Sequence, residues 1–143
     1  MKILVPVDGS KYSMEGVNIA LDYAKTKGAE IFLVNVVPFI PGIDLEISAS
    51  KWDHLMEDMK KIGEEALNKA SSVLKSQGIS SHTVLSTSAD VAEEIVSLAE
   101  KEKIDLVIIG SRGYTGAERF MLGSTASKVV IHSPCSVYVV KKV

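Results

Sequence analysis

Gly110-Ser111-Arg112-Gly113, nine further residues and then Gly123-Ser124-Thr125 have the residue types and spacing that suit one kind of chemistry, the holding of an anion. Glycine removes the Cβ that would keep a backbone N–H away from an oxyanion. The first N–H groups of a helix have no partner of their own and sit at the positive end of its dipole. The apolar run Leu106-Val107-Ile108-Ile109 precedes the stretch and a helical pattern opens near Ser124, so the order is strand, glycine loop, helix. A plain connection between two elements is the competing reading, although the sixteen residues from Gly110 to Thr125 are long for one. No Gly-Lys-Ser/Thr closes the loop, and the first glycines fall as GxxG and not GxGxxG, so neither a P-loop nor a dinucleotide fingerprint is supported. Asp8, where the first apolar run ends, is the other candidate: it could accept a hydrogen bond from a ligand, help hold a divalent ion, or simply turn the chain with Gly9.

These residues need elements to position them, and the chain supplies strands and helices in alternation. Lys2 to Val7 is apolar and β-branched without polar alternation, the pattern of a strand buried on both faces. Val17, Ala20, Leu21 and Ala24 recur at helical spacing from about Ser13 to a stop at Gly28, and Glu30 to Val37 is a second buried strand interrupted only by Asn35. Pro38 to Ser50 has two prolines, a glycine and no period, which predicts a loop suited to ordering around a ligand or partner. The stripe from Trp52 to Leu74, ending at Gln77-Gly78, predicts a long helix packed on a sheet.

His82 to Leu85 predicts a short third strand, with Ser86-Thr87-Ser88-Ala89 as its exit. Asp90 and Glu93 form an acidic variant of the capping box for a helix that buries Val91, Ala92, Ile95, Val96 and Ala99. After the fourth strand and the glycine loop come a helix over Ser124 to His132, a Ser133-Pro134 break and a last strand, Ser136 to Val140. Five strands alternating with helices predict an α/β fold with a parallel sheet, covered on both faces because crossovers are right-handed. In such sheets ligands sit beyond the carboxyl ends of the strands where strand order reverses. If strands one and four are neighbours there, Asp8 and the glycine loop face one crevice.

The 143 residues fit one domain, 1–143, and 46% apolar with 24% charged residues is an ordinary globular composition. A net charge of −2 leaves no basic footprint for nucleic acid or an anionic membrane surface. Cys135 is the single cysteine and the apolar start is too short for a signal peptide or a membrane span, so the expected location is cytoplasmic. His54, His82 and His132 lack metal-ligand spacing. No nucleophile with an evident base, and no paired carboxylates, announce catalysis. A receiver domain is disfavoured by the lack of an aspartate at the end of strand three, and a flavodoxin by the lack of a hydroxyl-rich loop after strand one.

Taken together, the Gly110, Gly113 and Gly123-Ser124 spacing, the opening Ile3 to Ser10, the stretch Asp105 to Gly113 and the closing Ser133 to Val140 resemble the universal stress proteins of the nucleotide-binding kind. The likeness runs along essentially the whole chain. It implies a doubly wound five-stranded parallel sheet of order 3-2-1-4-5, adenine nucleotide alpha hydrolase-like, with ATP in the crevice beyond strands one and four. Carried over residue by residue, Pro6, Val7 and Asp8 border the adenine and ribose, and Val36 forms part of the adenine wall. Ile109, Gly110, Arg112 and Gly113 line the near side of the ribose and phosphates, and Gly123, Ser124 and Thr125 wrap the phosphate tail. Ser124 could equally be a plain N-cap, and Arg112 a solvated loop residue.

One departure from the family's pattern is Thr87-Ser88-Ala89-Asp90, where many relatives place a glycine. The resemblance also implies a homodimer formed through the last strand, Ser136 to Val140, whose hydrophobic edge favours pairing with another chain. Two functions of different class follow: an ATP-binding regulatory module of the stress response, or a slow or partner-activated ATPase or phosphotransferase in which Asp8 and a Mg²⁺ or Mn²⁺ polarise the phosphates.

Overall fold

The computed structural model describes residues 1–39, 42, 47–112, 122–141 and 143. Its elements follow in the order β1 (Lys2–Pro6), α1 (Lys11–Lys27), β2 (Glu30–Pro38), α2 (Ala49–Lys75), β3 (Ser81–Ser88), α3 (Val91–Lys101), β4 (Leu106–Gly110), α4 (Ser124–His132) and β5 (Ser136–Val140). All strand pairs are parallel and the five-stranded sheet has the order β3-β2-β1-β4-β5, as the resemblance implies.

Alternation along the strands divides the apolar residues between two cores. Ile3, Val5, Ile31, Leu33 and Ile108 face α1 and α2, meeting Val17, Ala20, Leu67, Ala70 and Leu74. Leu4, Phe32, Val34, Val107 and Ile109 face α3 and α4, meeting Ala92, Ile95, Ala126 and Val129. Ile3, Leu4, Ile31, Leu33 and Ile108 have no exposed surface, and each side chain of this size contributes about 1.5–3 kcal/mol by leaving water. Both cores therefore clamp β1 and β4, the strands that carry Asp8 and the glycine loop.

Several boundaries differ from those expected, each for a physical reason. Helix α1 starts at Lys11, because the Ser10 hydroxyl accepts the Ser13 N–H at 3.2 Å and caps it. Helix α2 begins at Ala49, inside the expected loop, where Ser48 accepts the Lys51 N–H at 3.2 Å. The rest of that loop includes 40, 41 and 43–46, which lie outside the described residues. Strand β3 runs on through Ser86, Thr87 and Ser88, which pair with Val36, Val37 and Pro38. A longer partner strand extends the shorter one, whatever its own residues prefer.

Two glycines mark close approaches. Gly63 lies inside the 27-residue α2, where glycine costs about 1 kcal/mol relative to alanine. A Cβ there would overlap the Asn35 amide oxygen and stand 3.0 Å from Leu85 Cδ1. Gly110 ends β4 against α1: a Cβ would stand 2.8 Å from Tyr12 Cβ and 3.2 Å from Arg112 O. Gly110→Ala is therefore expected to destabilise the ligand-free protein by about 1–3 kcal/mol, read by urea denaturation. An unchanged midpoint would show that α1 yields freely at Tyr12.

Asp90 caps α3 as expected, accepting the Glu93 N–H at 3.1 Å, and it also receives Lys128 Nζ of α4 at 3.3 Å. The Asp90 N–H is taken by Ser88 Oγ at 3.2 Å and not by the Glu93 side chain, so only one half of the expected capping box forms. The Glu93 N–H first and the Lys128 ammonium second hold the Asp90 carboxyl below its ordinary value. A lowered folded-state value contributes stability that is fully present above the unfolded value and is lost as pH falls through the folded one. Wild type is expected to exceed Asp90→Asn in stability at neutral pH, with the gap closing as pH falls through the carboxylate range. Denaturation at a series of pH values measures this, and a gap independent of pH would remove the charge from the account.

Candidate functional site

Beyond the carboxyl ends of β1, β2 and β4 lies a cleft of about 490 Å³. Pro6, Val7 and Asp8 reach it from the end of β1, and Val34, Asn35 and Val36 from β2. Ile109, Gly110, Ser111 and Arg112 come from β4 and its exit, and Gly123, Ser124 and Thr125 from the start of α4. Every site residue expected from the sequence lines this one cleft except Gly113, which lies with 114–121 outside the described residues.

Its apolar surface comes from β1, β2 and β4 through Val7, Val34, Val36 and Ile109, with Val91 and Ile95 of α3 alongside. Strand ends supply such surface because these strands are buried on both faces and carry apolar residues to their last positions. Val91 and Ile95 were legible as the buried face of a helix, but nothing local in the sequence placed them at a site.

Asp8 stands exposed at the β1 exit. Its Oδ1 accepts the Ser10 N–H at 2.8 Å, and its own N–H donates to Ser13 Oγ at 3.3 Å. Gly9 between them has φ +84°, the left-handed region that favours glycine. The turn role and the site position thus coexist: the hydrogen bond fixes the carboxylate at the rim of the cleft.

The start of α4 differs from that of the other helices. Side chains of Ser10, Ser48 and Asp90 cap α1, α2 and α3. The N-cap of α4 is Gly123, which has no side chain to offer, and Ser124 is the first helical residue and not the cap. The first bond of the helix joins Ser127 N–H to Gly123 O at 2.9 Å. The N–H groups of Ser124, Thr125 and Ala126 therefore have no acceptor within the helix, and all three residues line the cleft.

Ser111 holds this arrangement together. Buried at 5% exposure, it donates its N–H to Val140 O of β5 and accepts the Gly123 N–H, both at 2.9 Å. The two ends of the glycine loop are thereby pinned to each other and to the sheet. A Cβ on Gly123 would stand 3.1 Å from that same Ser111 O, so the close contact asks for glycine. Arg112 lines the cleft and sets its guanidinium 6.0 Å from the Tyr12 ring centroid.

Sequence reasoning passed over Ser10, Ser13, Asn35 and Ser111 as site residues. Asn35 gave the one usable signal, an amide inside an apolar strand. Its Nδ2 donates to Val7 O at 2.8 Å.

The universal stress protein family model matches residues 1–141. A universal stress protein of Methanocaldococcus jannaschii is 40% identical over 141 residues, covering 99% of this chain and 82% of its own length. Among solved structures, universal stress protein UspA from Lactobacillus plantarum superposes with a TM-score of 0.83 at 25% identity, covering 98% of this chain and 97% of that one. A universal stress protein from Archaeoglobus fulgidus solved in complex with dAMP has a TM-score of 0.70 at 22% identity, covering 99% and 98%. Other structures sharing the fold were solved with cAMP and with AMP. The doubly wound sheet, its strand order and the match along 1–141 lead to one statement: this chain belongs to the universal stress protein family.

Proposed function

We propose that the cleft binds an adenine nucleotide, with ATP as the physiological ligand, and that the protein is a nucleotide-dependent regulatory module of the stress response. The observation that carries this reading is the start of α4, which has no side-chain cap and whose first three N–H groups, without an acceptor in the helix, belong to residues that line the same cleft as an apolar strand-end surface. A purine needs apolar walls and a phosphate needs donors that are already in place. The cleft volume of about 490 Å³ lies within the range of small-molecule sites. AMP, dAMP and cAMP in proteins of this fold support the choice of ligand class.

In this reading Pro6, Val7 and Val36 border the base, Asp8 the ribose, and Ile109, Gly110 and Arg112 the near side of the phosphates. Ser124 and Thr125 take the phosphate oxygens with their hydroxyls and N–H groups, Gly123 allows the close approach, and Gly113 belongs with them. Val36 offers backbone as well as side chain. Val34, two residues earlier, accepts the Val7 N–H, so Val36 presents its N–H toward the same side, where β1 has ended. That donor suits an acceptor nitrogen of the base. A Mg²⁺ or Mn²⁺ carried in with the phosphates would neutralise their charge, and Asp8, a carboxylate that lines the cleft, would be the group to meet it.

Occupancy of the cleft would bridge β1, β2, β4 and α4 and so change the surface that a partner reads. We assign the protein to the cytoplasm on the same footing. No helix among the described residues is long and apolar enough to cross a membrane. The sheet edge at β5 supports a homodimer: β5 pairs with β4 on one side, Tyr138 is 42% exposed, and Ile131 of the neighbouring α4 is 73% exposed.

Ser124→Pro tests the phosphate assignment. Proline is tolerated at the first helical position, and the preceding Gly123 has φ −57° and ψ 153°, compatible with a following proline. The substitution removes one N–H and one hydroxyl while leaving the helix intact. ATP affinity by calorimetry is expected to fall on the order of a hundredfold, with stability unchanged. Undiminished affinity in the folded variant would sink the assignment of the α4 terminus. For the dimer, sedimentation at high protein concentration is expected to give twice the monomer mass, with Tyr138→Asp shifting it to one; a wild type that stays monomeric would reject the edge pairing.

A further inference from the structure

The parallel ladder between β1 and β2 stops one step early, and a side chain takes the place of the next rung. Val7 N–H donates to Val34 O at 2.8 Å. In a regular parallel pair the next bond would run from Val36 N–H to Val7 O. Asn35 Nδ2 donates to Val7 O instead, at 2.8 Å, and among the described residues no backbone N–H reaches that oxygen. Asn35 stands between Leu33 and Val37 on the strand, facing α2. There Gly63 makes room for it: a Cβ at 63 would overlap the amide oxygen and lie 3.0 Å from Asn35 Cγ. The amide is thus held by a helix that carries no side chain at the point of contact.

We propose that Asn35 is a positioning residue for base recognition: by donating to Val7 O in place of the Val36 N–H, it ends the β1–β2 ladder and leaves that N–H turned toward the cleft for a ring nitrogen of a 6-aminopurine. Asn35 acts on the ligand through Val36. The inference rests on the reading of the cleft as a nucleotide site. It adds a reason why the strands part where they do. Without the amide, Val7 O would be left without its donor, and the nearest replacement is the Val36 N–H itself. The sheet would then gain a rung and the cleft would lose a donor.

The test is amide hydrogen exchange at Val36 in nucleotide-free protein, compared between wild type, Asn35→Leu, which removes the donor at similar size, and Gly63→Ala, which displaces the amide from α2. Ready exchange is expected in wild type and protection in both variants. In parallel, affinity for ATP is expected to fall about tenfold in each variant, whereas affinity for inorganic triphosphate, which has no base, is expected to stay the same. A Val36 amide already protected in the free wild type overturns the proposal, whether or not the variants fold. Equal exchange in all three proteins, or ATP and triphosphate affinities that fall together, also overturns it and leaves Asn35 a purely structural residue. If wild type binds neither ligand, the nucleotide reading of the cleft fails, and the exchange comparison still decides whether Asn35 ends the ladder.

Discussion

β1 pairs with β2 on one side and β4 on the other, both in parallel, and the position of every functional candidate depends on that arrangement. The chain leaves β1 for α1 on one face of the sheet and leaves the glycine loop after β4 for α4 on the opposite face. Two exits that diverge from adjacent strands leave a crevice between them. Its walls are strand ends, and its open side receives the start of a helix. The apolar surface and the first residues of α4, whose N–H groups have no acceptor in their own helix, meet in one cleft because the topology leaves them no other place.

Rigidity in this region comes from contacts that consume polar groups while sparing a chosen few. Ser111 spends both its N–H and its carbonyl on Val140 and Gly123, which fixes the two ends of the glycine loop. Ser10, Ser13 and Asp8 spend theirs on one another, which fixes the exit of β1. Against this background the N–H groups of Ser124, Thr125 and Ala126 stand out as donors with no acceptor in their own helix. A site organised in advance loses little entropy when a ligand arrives.

Much of this was legible in the sequence. Apolar runs without alternation at Lys2–Val7, Glu30–Val37 and Leu106–Ile109 marked strands buried on both faces, and the Gly110, Gly113 and Gly123 spacing marked the loop. What escaped was set by partners far along the chain. Ser86 to Ser88 look like a turn but are strand, because Val36 to Pro38 extend beyond the apolar part of β3. Gly110 was legible as a cleft residue, but its close packing against Tyr12 of α1, which a Cβ would meet at 2.8 Å, was not. Asn35 looked like an interruption, yet its partners Val7 and Gly63 lie 28 residues before and 28 after it, beyond any local pattern.

The central claim is that this cleft holds an adenine nucleotide, and the most direct measurement is the small-molecule content of protein purified without added ligand. The protein is denatured, the released molecules are separated, and a sample supplied with ATP is treated in the same way. The account predicts intact adenine nucleotide released from the folded protein in near-stoichiometric amount. Protein that retains no nucleotide, and binds none when supplied, would contradict it.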